Sequence, residues 1–444
     1  MGDIVNVIKN KNSIMLFIGL SVYVALFIIR DVIQINIAGT LFMFWFVGMI
    51  LFLPQPEMMK AVFFMLPLSN GIPGYTILLT LGILVFKSHK FSPWQLIPPT
   101  IIAILELISV ASYDFPIRLQ SVISYIGFIY LFFYILFDNE PKIDKKACVR
   151  FFCYGTVVAL LIVYIPIIMN YGILAIIAGE VRDGVAMGYD NSEDILGHLT
   201  MNANTIAYYA ITLLSILLLG RKKLDISSNI ILYVAIFIAV AAGLLSFSRT
   251  WLILTSTIIF LYILNSRSRL FAAILMVVLT LLIMTTQNSV VESIGGVYQT
   301  RMSDDNFQTG GGRFVIFRDY NRAWIDSPKY VIMGTGVTNY RQVLRQEYSM
   351  HNGLQQIWVC HGILGFAVFM LSVIKYMISF RNRRLNFIYY LPFISCFVFD
   401  QSIQFLSPYA LMLPFLPTLY VLSFNKEKFI SAYTPNKIEI PLMR

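Results

Sequence analysis

The sequence predicts an all-α, polytopic membrane protein with about 12–14 transmembrane helices, each built from about 17–25 apolar residues. Three observations carry that prediction. Hydrophobic residues make up 58% of the 444 positions, charged residues only 13%, and the mean hydropathy is +0.74. Soluble domains carry about 25% charge. Apolar runs long enough to cross a bilayer core recur along the whole chain, leaving no room for a large soluble domain.

The apolar segments fall, in order, at Ser13–Ile29, Ile35–Leu53, Met58–Leu68, Ile72–Phe86, Gln95–Ala111, Leu119–Phe137, Ala147–Met169, Met201–Leu219, Ile230–Phe247, Trp251–Leu264, Leu270–Thr286, Gly353–Ser379, Phe387–Phe405 and Pro408–Phe424. The first follows Lys9 and Lys11 and lacks a small-residue cleavage site, so it reads as a retained signal anchor. The third is too short to cross unaided and is either one of two crossings within Met58–Phe86 or re-entrant.

Basic residues set the expected topology. The clusters at Lys87–Lys90, Lys142–Lys146, Arg221–Lys223, Arg267–Arg269 and Arg381–Arg384 belong in the cytoplasm by the positive-inside rule. Both termini are then cytoplasmic in a multi-pass protein. The expected organisation is a membrane part at 1–286 with a smaller outer loop at 170–200, a large outer loop at 287–352, C-terminal spans at 353–424 and a tail at 425–444.

The four cysteines lie in or beside spans without metal-type spacing, which argues against a disulfide frame or zinc site. The net charge of +10 sits mostly in short loops beside spans, so nucleic acid is not an expected partner. Neither an internal repeat nor a low-complexity tract is evident.

Lysine and arginine are distributed unequally. Of 33 such residues, 11 fall outside under this topology, and all but Lys329 are arginines. Lysine serves as a topological anchor, whereas the planar guanidinium grips two phosphate oxygens at once. Outer arginines therefore point to an anionic substrate. The competing reading is that arginine suits any interface.

Three places concentrate this chemistry. Ser246, Ser248 and Arg249 stand where two spans meet, and an arginine at membrane level is a functional candidate unless it snorkels to the interface. In the large loop, Gly310–Gly312 precede an amphipathic stretch from Arg313, with Phe314, Phe317 and Trp324 on one stripe, Asn321 interrupting it, and Pro328 stopping the helix. Arg313 stands at the helix N-terminus, where unpaired N–H groups attract anions. Arg318 and Arg322, four apart, share another face suited to substrate or to lipid headgroups. The loop ends in His351, able to accept a proton near neutrality, and Asn352, a capping residue for the following span. Asn202 and Asn204 open an earlier span and either cap it or bond a sugar.

Other signals are weak. Gly334-Thr335-Gly336 lacks the setting of a dinucleotide loop, no phosphate-loop sequence occurs, and Asp304-Asp305 is not a spaced metal pair. Glu106 lies within a span, where internal pairing is one reading, and His361 and Asp400 lie nearer span ends; the three are too few to outline an ion path, though each is a functional candidate.

The order of these features resembles the O-antigen polymerase and O-antigen ligase superfamily of bacterial surface-polysaccharide enzymes. The resemblance rests on Asn202-Ala203-Asn204, Ser246-Phe247-Ser248-Arg249, Gly312-Arg313, Trp324, Pro328, Gly334-Thr335-Gly336, His351 to Gln356, and Gly362-Ile363-Leu364-Gly365, and covers roughly 200–366. His361 departs from it, since an acid commonly precedes the Gly-x-x-Gly. The resemblance implies a GT-C-like, metal-independent glycosyltransferase without a cofactor, acting on undecaprenyl-pyrophosphate-linked glycan at the outer face of the bacterial cytoplasmic membrane. Arg249, Arg313 and His351 match its functional basic residues, with Arg318, Arg322, Asn202, Asn204 and Asn352 as substrate-binding candidates. Polymerisation of O-antigen or capsular repeat units is the leading expectation and ligation to a lipid A-core acceptor the alternative. A flippase or transporter is disfavoured by polar chemistry gathered at one face. Membrane lipids, a chain-length regulator and a flippase of the same pathway are the expected partners.

Overall fold

The structure is a computed structural model that describes residues 2–71, 91–112, 116, 119–137, 143–178, 199, 201, 203–224, 229–265, 295–297, 299, 313–338, 340–348, 350 and 352–378. Among these the regular structure is entirely helical. The predicted segments at Ile72–Phe86, Leu270–Thr286, Phe387–Phe405 and Pro408–Phe424 lie outside the described residues, as do Gly310–Gly312, Asp304-Asp305, Asp400 and the tail.

Among the described residues, nine of the ten remaining apolar segments correspond to α1 (Gly2–Phe27), α2 (Gly39–Phe52), α3 (Gln55–Met65), α4 (Pro93–Ala111), α5 (Leu119–Leu136), α6 (Lys145–Ile177), α7 (Ala203–Leu224), α8 (Asn229–Leu245) and α9 (Arg249–Asn265). The segment expected from sequence to be the large outer loop contributes α10 (Arg313–Ile325), α11 (Pro328–Met333) and α12 (Tyr340–Val343), and α13 (Gly353–Ile378), which corresponds to the tenth apolar segment, Gly353–Ser379, follows it. Four stretches among the described residues are long and apolar enough to cross a bilayer: Lys11–Val32, Pro93–Ala111, Lys145–Ile177 and Gly353–Tyr376. Shorter apolar helices accompany them, and the chain is a multi-pass membrane protein.

α6 runs eight residues past the expected end at Met169, into what the sequence assigns to an outer loop. Its 33 residues include a break at Gly172, where φ is 76° and ψ is 157°. A straight helix of that length spans roughly 50 Å, well beyond a ~30 Å hydrocarbon core. The break separates the last turn from the membrane-spanning part.

The short third segment is an α-helix that continues as a 3-10 turn over Leu66–Gly71. Its side chains are almost all buried, against α6 above all. Gly155 of α6 lies so close to the carbonyl of Phe64 that a Cβ there would collide with it. Removal of the side chain lets the two backbones touch, a device typical of membrane helix pairs.

Elsewhere α7 packs on α8 and α9, α4 on α5, and α13 on α4 and α11. Aromatic rings join α5 to α13: Phe132 and Phe369 stack at 6.0 Å, and Phe137 meets Tyr376 edge-on at 6.1 Å.

One arginine that the sequence topology groups with the outer ones is structural. Arg30 lies in a π-helical turn, Ile28–Val32, that extends α1. It donates to Asp31 through Nε at 3.0 Å and Nη2 at 2.9 Å, and its guanidinium lies 4.2 Å from the Phe42 ring centre. Both side chains are buried.

Candidate active site

Two groups of sequence-predicted residues are anchored locally. The first is the turn between α8 and α9. Ser246 closes α8 with its hydroxyl donating to Gly243 O at 2.6 Å, and Ser248 N–H donates to Ser246 Oγ at 3.4 Å. Between them Phe247 is fully buried with φ of +47°. A bulky residue in the left-handed region carries strain of about 1–3 kcal/mol, tolerated where surrounding packing fixes it. Trp251 covers Gly243 so closely that a Cβ at 243 would strike its indole. Arg249 is consequently the first helical residue of α9.

Asn204 joins this turn. The Ser248 hydroxyl donates to Asn204 Oδ1 at 3.3 Å, linking the start of α7 to the residue before Arg249. Asn202 and the side chain of Arg249 lie outside the described residues.

The second group surrounds α10. At about 100° per residue, Arg313, Phe317, Tyr320 and Trp324 share one face, and Arg318 and Arg322 lie roughly opposite. The structure follows that division. Tyr320 is buried and donates to Tyr348 O at 2.6 Å, and Trp324 Nε1 donates to Tyr330 O at 3.0 Å. Burial, with Tyr340 nearby, pushes the Tyr320 phenol well above its ordinary range, so it stays a donor. Phe317 meets Trp358 of α13 edge-on at 6.1 Å. Arg318 and Arg322 are exposed, and Arg318 only touches Asp319 at 3.3 Å. Such an exposed pair contributes little.

Two details differ from expectation. Phe314, placed by sequence on the apolar stripe, is 71% exposed. It sits about 60° round from Phe317, off the face that meets α13. Pro328 does more than end α10: it opens α11, where its missing N–H costs nothing.

The polar tie between α10 and α13 is Gln355, a residue without a charge or a catalytic signature of its own. Its side-chain amide donates to Phe317 O at 2.6 Å and to Asn321 Oδ1 at 3.0 Å. Its own backbone N–H donates to Asn352 Oδ1 at 2.9 Å, so Asn352 caps α13 as predicted. Asn321, which interrupts the apolar stripe, is therefore the polar contact through which α10 is held. His351 lies outside the described residues, between the buried Met350 and the cap Asn352. Arg313 stands one turn before Phe317, and Gln355 stands one turn after His351.

The segment Gly334–Thr338 follows α11 and is inserted against α13. The helix is broken at Gly362, with φ of +63°, and Gly334 has φ of +84°. A Cβ on Gly334 would meet the Cys360 carbonyl, and one on Gly362 would meet Ile332 O. Thr335 N–H donates to Val359 O at 3.0 Å and Gly336 N–H to Cys360 O at 2.8 Å. The Gly-Thr-Gly signal thus serves a backbone junction. His361 lies just beneath it, hydrogen-bonded through Nε2 to the Tyr125 hydroxyl. Among the described residues no three His, Cys, Asp or Glu side chains gather.

Residues 233–370 match the family model described as O-antigen ligase. That stretch runs from α8 to α13 and contains both Arg249 and Arg313. No curated protein and no solved structure matches the chain.

Proposed function

From a stretch that carries the O-antigen ligase family match, consistent with the O-antigen polymerase and ligase superfamily, we propose that this protein is a glycosyltransferase. It polymerises undecaprenyl-pyrophosphate-linked repeat units of O-antigen or capsular polysaccharide on the outer face of the bacterial cytoplasmic membrane. The observation that carries this reading is the Gln355 clamp, which fastens the helix headed by Arg313 to the helix that follows His351.

The chemistry follows from charge. An acceptor hydroxyl attacks the anomeric carbon, the bond from that carbon to the diphosphate oxygen breaks, and the diphosphate leaves with the electron pair. His351 takes the hydroxyl proton. Arg249 and Arg313 stabilise the departing negative charge, and a single displacement inverts the anomeric centre. Both arginines start helices, whose N-terminal ends carry the positive end of the helix dipole. Arg318, Arg322, Asn202 and Asn204 are proposed to contact the glycan or its carrier, and Asn352 to set the approach of His351. The lipid diphosphate already carries the activation, so the proposal needs neither nucleotide nor metal. A chain-length regulator and a flippase of the same pathway are proposed partners.

The description of the matched family favours a second reading, transfer of a finished glycan to a lipid A-core or similar acceptor. Deletion separates the two. A single repeat unit on the surface lipid marks a polymerase, and unattached long chains mark a ligase. Replacing Arg249, Arg313 or His351 with Ala at normal membrane abundance abolishes the product under either reading, and unchanged product overturns the assigned roles.

A further inference from the structure

We infer that Glu106, on membrane helix α4, is a positioning residue that holds the outer-loop assembly in register through the segment 334–338. Glu106 is fully buried. Its carboxylate accepts from Val337 N–H at 2.8 Å, from Thr338 N–H at 3.3 Å and from the Thr338 hydroxyl at 2.9 Å. One turn on, the Ser109 hydroxyl donates to Gly334 O at 3.1 Å.

Together with the bonds to α13, these contacts give every backbone N–H from Thr335 to Val337 a partner on one of two membrane helices, and that of Thr338 as well. Unpaired, those groups are costly at this level of burial. The segment is irregular backbone inserted among helices, which membrane proteins tolerate only where protein groups satisfy it. Glu106 supplies the half of that satisfaction that α13 does not.

The segment lies between the parts of the proposed site. It follows α11, whose Tyr330 carbonyl holds Trp324 of α10. It leads into α12, whose Tyr340 ring lies 5.8 Å from Tyr320 of α10. Loosening 334–338 therefore frees both contacts that flank the face carrying Arg313. Glu106 touches no proposed substrate group, and its influence passes through the backbone it holds. This inference rests on the function proposed above only for its catalytic consequence.

The test uses the full chain in lipid nanodiscs, with Glu106→Ala, Glu106→Gln and Thr338→Val. Two quantities are read: amide hydrogen exchange over 334–338 and over α10, and glycan transfer from a lipid diphosphate donor, separated into kcat and KM. With Glu106→Ala, exchange rises in both segments and kcat falls at least about 10-fold, a drop equivalent to about 1.4 kcal/mol. Glu106→Gln keeps an acceptor for Val337 N–H and recovers most of both. Thr338→Val, which keeps its N–H, gives the mildest change and serves if Glu106→Ala does not fold. Wild-type exchange in α10 for every variant overturns the inference, as does increased exchange with unchanged kcat. If transfer instead survives Arg249→Ala and Arg313→Ala, the functional reading fails, and the exchange data still decide whether Glu106 positions the loop.

Discussion

In the N-terminal bundle the buried and half-buried charges pair with near neighbours, Arg30 with Asp31 and Lys60 with Glu57, one and three positions apart. Around α13 the partners are remote. Glu106 and Val337 are 231 positions apart, and Tyr125 and His361 are 236 apart. A pair made within one turn stabilises its own helix and is indifferent to what happens elsewhere. A bond closed across half the chain fixes one element relative to another. The N-terminal pairs thus serve stability, and the contacts around α13 serve geometry, where the proposed chemistry needs it.

Asp31→Ala breaks this comparison most forcefully if it is wrong. It leaves the buried Arg30 without its carboxylate, a loss of about 3–5 kcal/mol for a pair of this kind. Thermal unfolding in detergent reports the loss, while transfer per folded molecule stays at the wild-type rate. A drop in specific activity would place the N-terminal bundle within the catalytic apparatus.

Arg313→Ala has the opposite signature: unchanged thermal stability and a transfer rate lower by about 10²–10³-fold, the usual consequence of losing one donor to developing negative charge. Gln355→Ala lies between. It leaves the half-buried Asn321 carboxamide without the Gln355 amide, for about 1 kcal/mol. Slower transfer accompanies the lower stability, because Arg313 loses its register. Arg318→Ala and Arg322→Ala, on the exposed face, stay within about 0.5 kcal/mol in stability. Their effect is confined to donor KM and is relieved by salt, as expected of exposed charges.

Sequence legibility follows the same division. Hydropathy alone located most of the described apolar helices to within a few residues, the start of α1 and the end of α6 excepted, because twenty-odd apolar residues have few other uses. It could not register the breaks at Gly172 and Gly362, since glycine is common in membrane helices that stay straight. Gln355 shows a subtler limit. It sits three residues after a cap, where Gln usually reaches back to the cap's own N–H. Gln95 does so, accepting from Ser92 N–H at 2.8 Å, whereas Gln355 turns its amide toward α10. The spacing from cap to Gln is the same in the two cases, and tertiary contact distinguishes them. Likewise Glu106 is conspicuous as an acid inside a span, but its partners are backbone N–H groups, which no side-chain pattern advertises. Arg30 is the reverse case: grouped by topology with the outer arginines, it is committed to Asp31.

The central claim, that Arg249 and Arg313 grip one departing diphosphate, is tested most directly by binding. Affinities of undecaprenyl diphosphate and undecaprenyl monophosphate are measured for the wild type and for Arg249→Ala and Arg313→Ala in nanodiscs at fixed salt. Either replacement is expected to weaken the diphosphate at least about 10-fold, equivalent to about 1.4 kcal/mol, and to erase its preference over the monophosphate. Undiminished diphosphate affinity in either variant contradicts the account.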